Sequence, residues 1–252
     1  QGCVDAKAQG FTAVGHLTPF LDEPREVPYF KTHSDKIRDA AETVAAYREA
    51  VGDEVDLCVE IHRRMDPAEA IALGRAIEPY RPYFFEDPIR PDNFDAMAEV
   101  AQKINIPIAT GERLTTIYEF EMLLARNAVQ YVRPDVCMAG GITQSKKIAA
   151  MAEAHHVGVV PHNPLSPVST AACIQIAASI PNFALQEYPT GEGRPPKSEI
   201  VKEVLEVADG FIKIPNRPGI GVELAEDAME KHPFKGRGRA TRLHVDGSVV
   251  DQ

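Results

Sequence analysis

The stretches VDLCVE (55–60), PYFFE (82–86) and IPIATGE (106–112) decide the fold. Each is a short apolar run closed by a glutamate, and the three acids, Glu60, Glu86 and Glu112, follow one another at intervals of 26 residues. About that length holds a strand, a helix and two loops, so each interval is one βα unit. Acids at the ends of successive parallel strands face one mouth of a sheet or barrel. Together they repel one another unless a hard divalent cation sits among them, and oxygen-only ligands point to magnesium rather than zinc. The rhythm continues. Asp135 follows the run 131–134, His162 follows 157–161 and Glu187 follows 183–186, at steps of 23, 27 and 25 residues. Polar residues at the carboxyl ends of barrel strands are where a TIM-type barrel keeps its catalytic groups.

The segments between these runs carry helix signals. Asp66, Pro67 and Glu69 predict a helix start with a capping box. Ala70, Ile71, Leu73, Gly74 and Ile77 then line one face. Ser34 is the predicted cap of a helix reaching Ala50 and stopped by Gly52 and Asp53. Asp92 opens a helix that turns Met97, Val100 and Ala101 inward, and Thr116 with Glu119 forms a second capping box leading to about Asn127. The tight turn 139–143 precedes a helix ending near His155, and 166–180 is the last regular helix. Strand and helix in alternation mean parallel strands joined by right-handed crossovers. Beyond Glu187 the pattern loosens, with short strands expected at 210–214 and 243–245. The loop 18–32, with three prolines and several acids, is either a functional lid or a variable surface insert.

At 252 residues, with 44% apolar side chains, the chain suits one domain over 1–252 with a sizeable core. A net charge of −10 argues against nucleic acid or an anionic membrane surface as partner. No apolar run approaches the about 20 residues of a membrane helix, and no basic-then-apolar leader is visible. Cys3, Cys58, Cys137 and Cys173 lack CxxC spacing, so reduced thiols in a cytoplasmic protein are expected. Lys235, Arg237, Arg239 and Arg242 suit a tail packing back on an acidic body. Ala6–Gln9 looks like the end of a helix and 11–14 like a strand, so the chain starts inside a βα unit and an N-terminal part is expected to be missing.

The pieces EIH (60–62), FEDP (85–88), TGER (110–113), RPD (133–135), AGGIT (139–143), PHNP (161–164) and LQE (185–187) together resemble the barrel domain of the enolase superfamily. Within it the chain is similar to the mandelate racemase-like subgroup, above all to acid-sugar dehydratases of the galactonate dehydratase kind. The match runs from about Phe11 to Val222. The resemblance implies a TIM-type (β/α)7β barrel, here without the capping domain and first barrel strand. It implies Mg²⁺ on Glu60, Glu86 and Glu112, an Asp135–His162 dyad, and Glu187 facing the substrate. A small sugar acid is the expected partner, and a homo-oligomer the expected assembly. Two departures stand out. Glu60 occupies a position where the family usually has Asp, and Gly15-His16-Leu17 replaces the Lys-x-Lys of racemase-type relatives. The second departure argues against two-base racemisation. His16 either acts in place of the lysine or is a loop histidine.

The chemistry follows from the residue types. A proton beside a carboxylate is weakly acidic because its loss gives a dianionic enediolate, which a chelated divalent cation neutralises. His162 suits the base, with Asp135 on its other nitrogen. Glu187 suits a hydrogen bond to the enediolate if it stays protonated among negative charges. His62, two residues past Glu60, points to the same side on an extended strand and suits the acid that assists loss of hydroxide. Arg113 is a candidate partner of Glu112, while Arg63 and Arg64 read as surface charges. The expected activity is a lyase converting a 2,3-dihydroxy acid to a 2-keto-3-deoxy acid. The alternatives are hydroxy-acid epimerisation or racemisation on the same scaffold, told apart by keto-acid formation, and a non-catalytic sugar-acid-binding relative, told apart by metal-dependent turnover.

Overall fold

The computed structural model describes residues 1–20, 31–236 and 243–249. Most of the 18–32 loop, and Arg237, Arg239 and Arg242 of the tail, lie outside the described residues. The described residues divide into two compact units, Gln1–Thr110 with Arg126–Val129, and Gly111–Ala125 with Gln130–Gly236.

In the first unit the elements run α1 (Gly2–Ala8), β1 (Ala13–Leu17), α2 (His33–Val51), β2 (Asp56–Glu60), α3 (Pro67–Ile77), β3 (Phe84–Glu86), α4 (Phe94–Lys103) and β4 (Ile108–Thr110). The strands pair in chain order, all parallel. Leu57, Val59, Phe84, Phe85 and Ile108 are fully buried, because helices cover a parallel sheet and leave its strands no wet face. Each such side chain contributes about 1.5–3 kcal/mol of transfer free energy.

Helix starts differ from the sequence reading in instructive ways. Thr32, not Ser34, caps α2, accepting from the Asp35 N–H at 3.2 Å. Asp66 does precede α3, but no capping box forms, since Glu69 is drawn to the Lys36 ammonium at 2.8 Å. Asn93 rather than Asp92 caps α4, through the Ala96 N–H at 3.0 Å.

The second unit contains α5 (Ile117–Leu124), β5 (Tyr131–Val132), α6 (Gly141–Ala154), β6 (Gly158–Val159), α7 (Pro167–Ala177), the antiparallel pair β7 (Val207–Ala208) and β8 (Phe211–Ile212), and α8 (Ala228–Lys231). The Thr116–Glu119 capping box expected at α5 is present. β5 and β6 are parallel and short. Pro134 and Pro161 follow them within two residues and lack the N–H that would extend the ladder. The expected strand at 183–186 is reduced to one parallel bridge, Val159 to Phe183. A further parallel bridge joins Asp135 to His162.

Candidate active site

Parallel pairing of β2 with β3 sets Glu60 directly beside Glu86. Side chains at registered positions leave a sheet on the same face, and both carboxylates are buried, 3% exposed. Gly15 and His16 interrupt the register of β1 between Val14 and Leu17, and His16 takes a left-handed φ of 54°. The bulge re-aims the imidazole, whose Nδ1 meets the Glu60 carboxylate. His16 is therefore a strand residue paired with Glu60, not a loop histidine.

The strand ends at Glu60, so His62 is not on an extended segment. His62 and Arg63 both adopt left-handed conformations, φ 57° and 66°. The alternation argument for the direction of His62 fails at this turn. The turn sets its ring at 6.2 Å from that of His16, edge to face, and against the Arg63 guanidinium, at 3.1 and 3.3 Å from the two ring nitrogens. Arg63 is no surface charge. It is 6% exposed and bonds the buried Asp87 carboxylate at 3.2 Å. Arg64 is half-buried over the Phe20 ring.

In the second unit, the Asp135–His162 bridge brings His162 Nδ1 to 2.8 Å from the Asp135 carboxylate. His162 Nε2 lies 2.9 Å from Glu112, whose other oxygen meets Arg113 at 3.0 Å. Burial disfavours the charged imidazole, but Asp135 and Glu112 outweigh it and push His162 up to about 10. Burial also works to raise Asp135, yet the hydrogen bonds from His162 and the Cys137 N–H hold its carboxyl below the ordinary value. Glu187 does not sit among negative charges alone. One of its oxygens accepts from the Arg133 guanidinium at 2.5 Å and from the Asn163 N–H at 2.8 Å. Asn163 is fully buried, and its amide donates to Thr170 Oγ1, which donates to Glu192 at 2.6 Å.

Glu192 is a buried acid that the sequence reading passed over. Desolvation raises its pKa from 4.5, against the Thr170 hydrogen bond and Lys197. A carboxyl raised on folding adds stability that is present below its unfolded value and lost as pH rises through the folded one. Wild-type protein should therefore lose stability relative to Glu192→Gln as pH rises from 4.5 toward neutrality. Urea unfolding across that range checks it, and a difference independent of pH would deny the buried carboxyl this role.

Among the described residues, no three His, Cys, Asp or Glu side chains gather into a metal-holding group. The donor set nevertheless fits a hard cation. Glu60 and Glu86 are adjacent buried carboxylates, and two like charges in a low-dielectric site call for a countercharge. His16 at Glu60 and His162 at Glu112 each face those acids with a group able to carry one. Arg63, Asp87, Arg133 and Asn163 are not candidate site residues on the sequence alone, because nothing in spacing signals a left-handed turn or a buried guanidinium.

A family model described as Enolase C-terminal domain-like matches residues 6–228. The chain belongs to this family. A D-galactonate dehydratase of Xanthomonas campestris pv. campestris (strain B100) is 35% identical over 259 residues, covering 99% of this chain and 67% of the relative. One from Variovorax paradoxus (strain S110) is 37% identical over 240 residues, covering 92% and 60%. Among solved structures, an enolase from Agrobacterium radiobacter bound to sodium and L-malate superposes with a TM-score of 0.88 at 32% identity, covering 97% of this chain and 64% of that one. A mandelate racemase/muconate lactonizing enzyme from Sulfitobacter gives 0.85 at 38% identity, covering 96% and 60%. The chain thus spans 60–67% of the length of these four proteins. The expected TIM-type α/β fold is that of its structural neighbours.

Proposed function

We propose that this chain is the barrel domain, over 1–252, of a magnesium-dependent acid-sugar dehydratase that turns a 2,3-dihydroxy carboxylic acid into a 2-keto-3-deoxy acid. The observation that carries the reading is the Asp135–His162 pair, a base held by a carboxylate, in a chain similar to galactonate dehydratases. Glu60, Glu86 and Glu112 are the residues to hold Mg²⁺; their burial and oxygen donors support this. When bound, the ion supplies positive charge against the carboxylate as the enediolate forms.

The remaining work falls to protein groups. Asp135 fixes Nδ1 of His162, leaving Nε2 to take the C2 proton. Glu112, which now meets Nε2 and helps to raise His162, would be one of the residues holding the ion, and Nε2 would then be open to the substrate. Glu187, held by the Arg133 guanidinium and the Asn163 N–H, faces the substrate. His62 protonates the departing 3-hydroxyl, so the C3–O bond breaks with loss of water. The enol left behind takes a proton at C3, gives up its C2 hydroxyl proton and becomes the 2-keto acid. The absence of a Lys-x-Lys pair at Gly15-His16-Leu17 weighs against racemisation. The four free thiols suit the cytoplasm, and among the described residues no helix is long and apolar enough to cross a membrane. The family resemblance extends the reading to a homo-oligomer.

The test is a panel of sugar acids given to the intact protein with magnesium, following keto acid and deuterium uptake at C2. With His62→Asn, exchange should survive while dehydration falls by about 10²–10⁴. Unchanged dehydration removes His62 from the mechanism, and loss of exchange alone reverses the two histidines.

A further inference from the structure

We infer that Arg63 is a positioning residue for His62, anchored by the buried Asp87 and Thr110. The inference rests on the reading of His62 as the acid. Three side chains form a continuous buried chain. Thr110 Oγ1 donates to Asp87 Oδ1 at 2.5 Å, and Asp87 Oδ2 receives the Arg63 guanidinium at 3.2 Å. A second nitrogen of the same guanidinium lies nearly equidistant from the two His62 ring nitrogens. Thr110, Asp87 and Arg63 are 2%, 1% and 6% exposed, so the clamp is not a solvent-averaged ion pair.

The backbone ties the same residues together. The Arg63 N–H donates to the Asp87 carbonyl at 2.7 Å, and the Ile61 N–H to the Glu86 carbonyl at 3.0 Å. His62, Arg63 and Asp87 all have positive φ, at 57°, 66° and 40°. Such conformations cost about 1–3 kcal/mol each and persist where the surroundings over-determine them, typically at functional sites. A buried ion pair is weak evidence for stability, because desolvation offsets its attraction. What this pair does supply is a rigid planar fork with one side on a carboxylate and the other against an imidazole. Lysine has no fork, so it cannot hold both contacts in one geometry.

The experiment compares wild type, Arg63→Lys and Asp87→Asn, alone and combined with His62→Asn, using the intact protein with magnesium and the best acid of the panel. Each single variant should dehydrate about 10- to 100-fold more slowly, the usual cost of misplacing a reacting group, with C2 exchange retained. In the His62→Asn background the further loss should vanish, since two residues acting as a unit are not additive. Equal losses in both backgrounds, or equal loss of exchange, overturn the inference, because they mark a structural role only. A second arm needs no turnover. In protein carrying ¹⁵N-histidine, the His62 ring signals, assigned by their absence in His62→Asn, should move in both variants but not in Arg113→Lys. Unmoved signals overturn the inference even if no acid is dehydrated, and moved signals without turnover sustain it while the dehydratase reading fails. Thermal unfolding of each variant confirms that folded protein is compared.

Discussion

His162→Asn should lose C2 proton exchange and dehydration together, each by about 10²–10⁴. Both effects follow from one geometry. Asp135 occupies Nδ1 at 2.8 Å, so the proton from C2 falls to Nε2, the nitrogen that meets Glu112 at 2.9 Å. Asparagine keeps a polar side chain at the site but has no nitrogen that takes up a proton near neutral pH. Elimination cannot outrun the step that forms the enediolate, so the two readouts fall in step. This separates His162 from His62, whose replacement splits them. The measurement is deuterium incorporation at C2 alongside keto-acid release, at saturating magnesium and substrate. Exchange at the wild-type rate in His162→Asn would place the base elsewhere, and His16 would be the next residue to replace, since its imidazole already reaches the Glu60 carboxylate.

Much of this site was legible because strand ends recur. An interval of 26 residues between Glu60 and Glu86 is one βα unit, and the sheet sets the two residues side by side. The Asp135–His162 neighbours were legible for the same reason. What escaped were features that periodicity does not encode. Assigning His62 a direction assumed an extended chain, and the chain turns left-handed one residue after Ile61. Arg63 looked like solvated charge beside Arg64, but its partner Asp87 stands 24 positions on, past another strand. The capping box expected at Asp66 failed because Glu69 had a stronger partner in Lys36, from the preceding helix. Local rules gave way in each case to a contact between elements. The Thr116–Glu119 box held, with the Glu119 carboxylate taken up by the Thr115 and Thr116 N–H groups.

Gly111→Ala should be strongly destabilising. Gly111 stands between Thr110, the last residue of β4, and Glu112, with φ at 139°, a region that side chains avoid. An added Cβ would lie 2.8 Å from Cε1 of the fully buried Phe120 and 3.0 Å from the Arg133 backbone nitrogen. Neither neighbour yields easily: Phe120 is locked in the face of α5, and the nitrogen belongs to the chain just after β5. Backbone strain and overpacking each cost about 1–3 kcal/mol, so a loss of about 3 kcal/mol or more is expected. For a protein of this size that lowers Tm by about 6–12 °C. The damage also has an address. Glu112 and Arg133 flank the clash, and they hold His162 and Glu187 respectively. Activity at a temperature where the variant is fully folded should therefore fall as well, unlike for a core substitution of equal cost at Leu73, in α3. A Tm within about 2 °C of wild type would show that the 111–114 turn relaxes to a conformation alanine accepts, and would end the argument that glycine is required there.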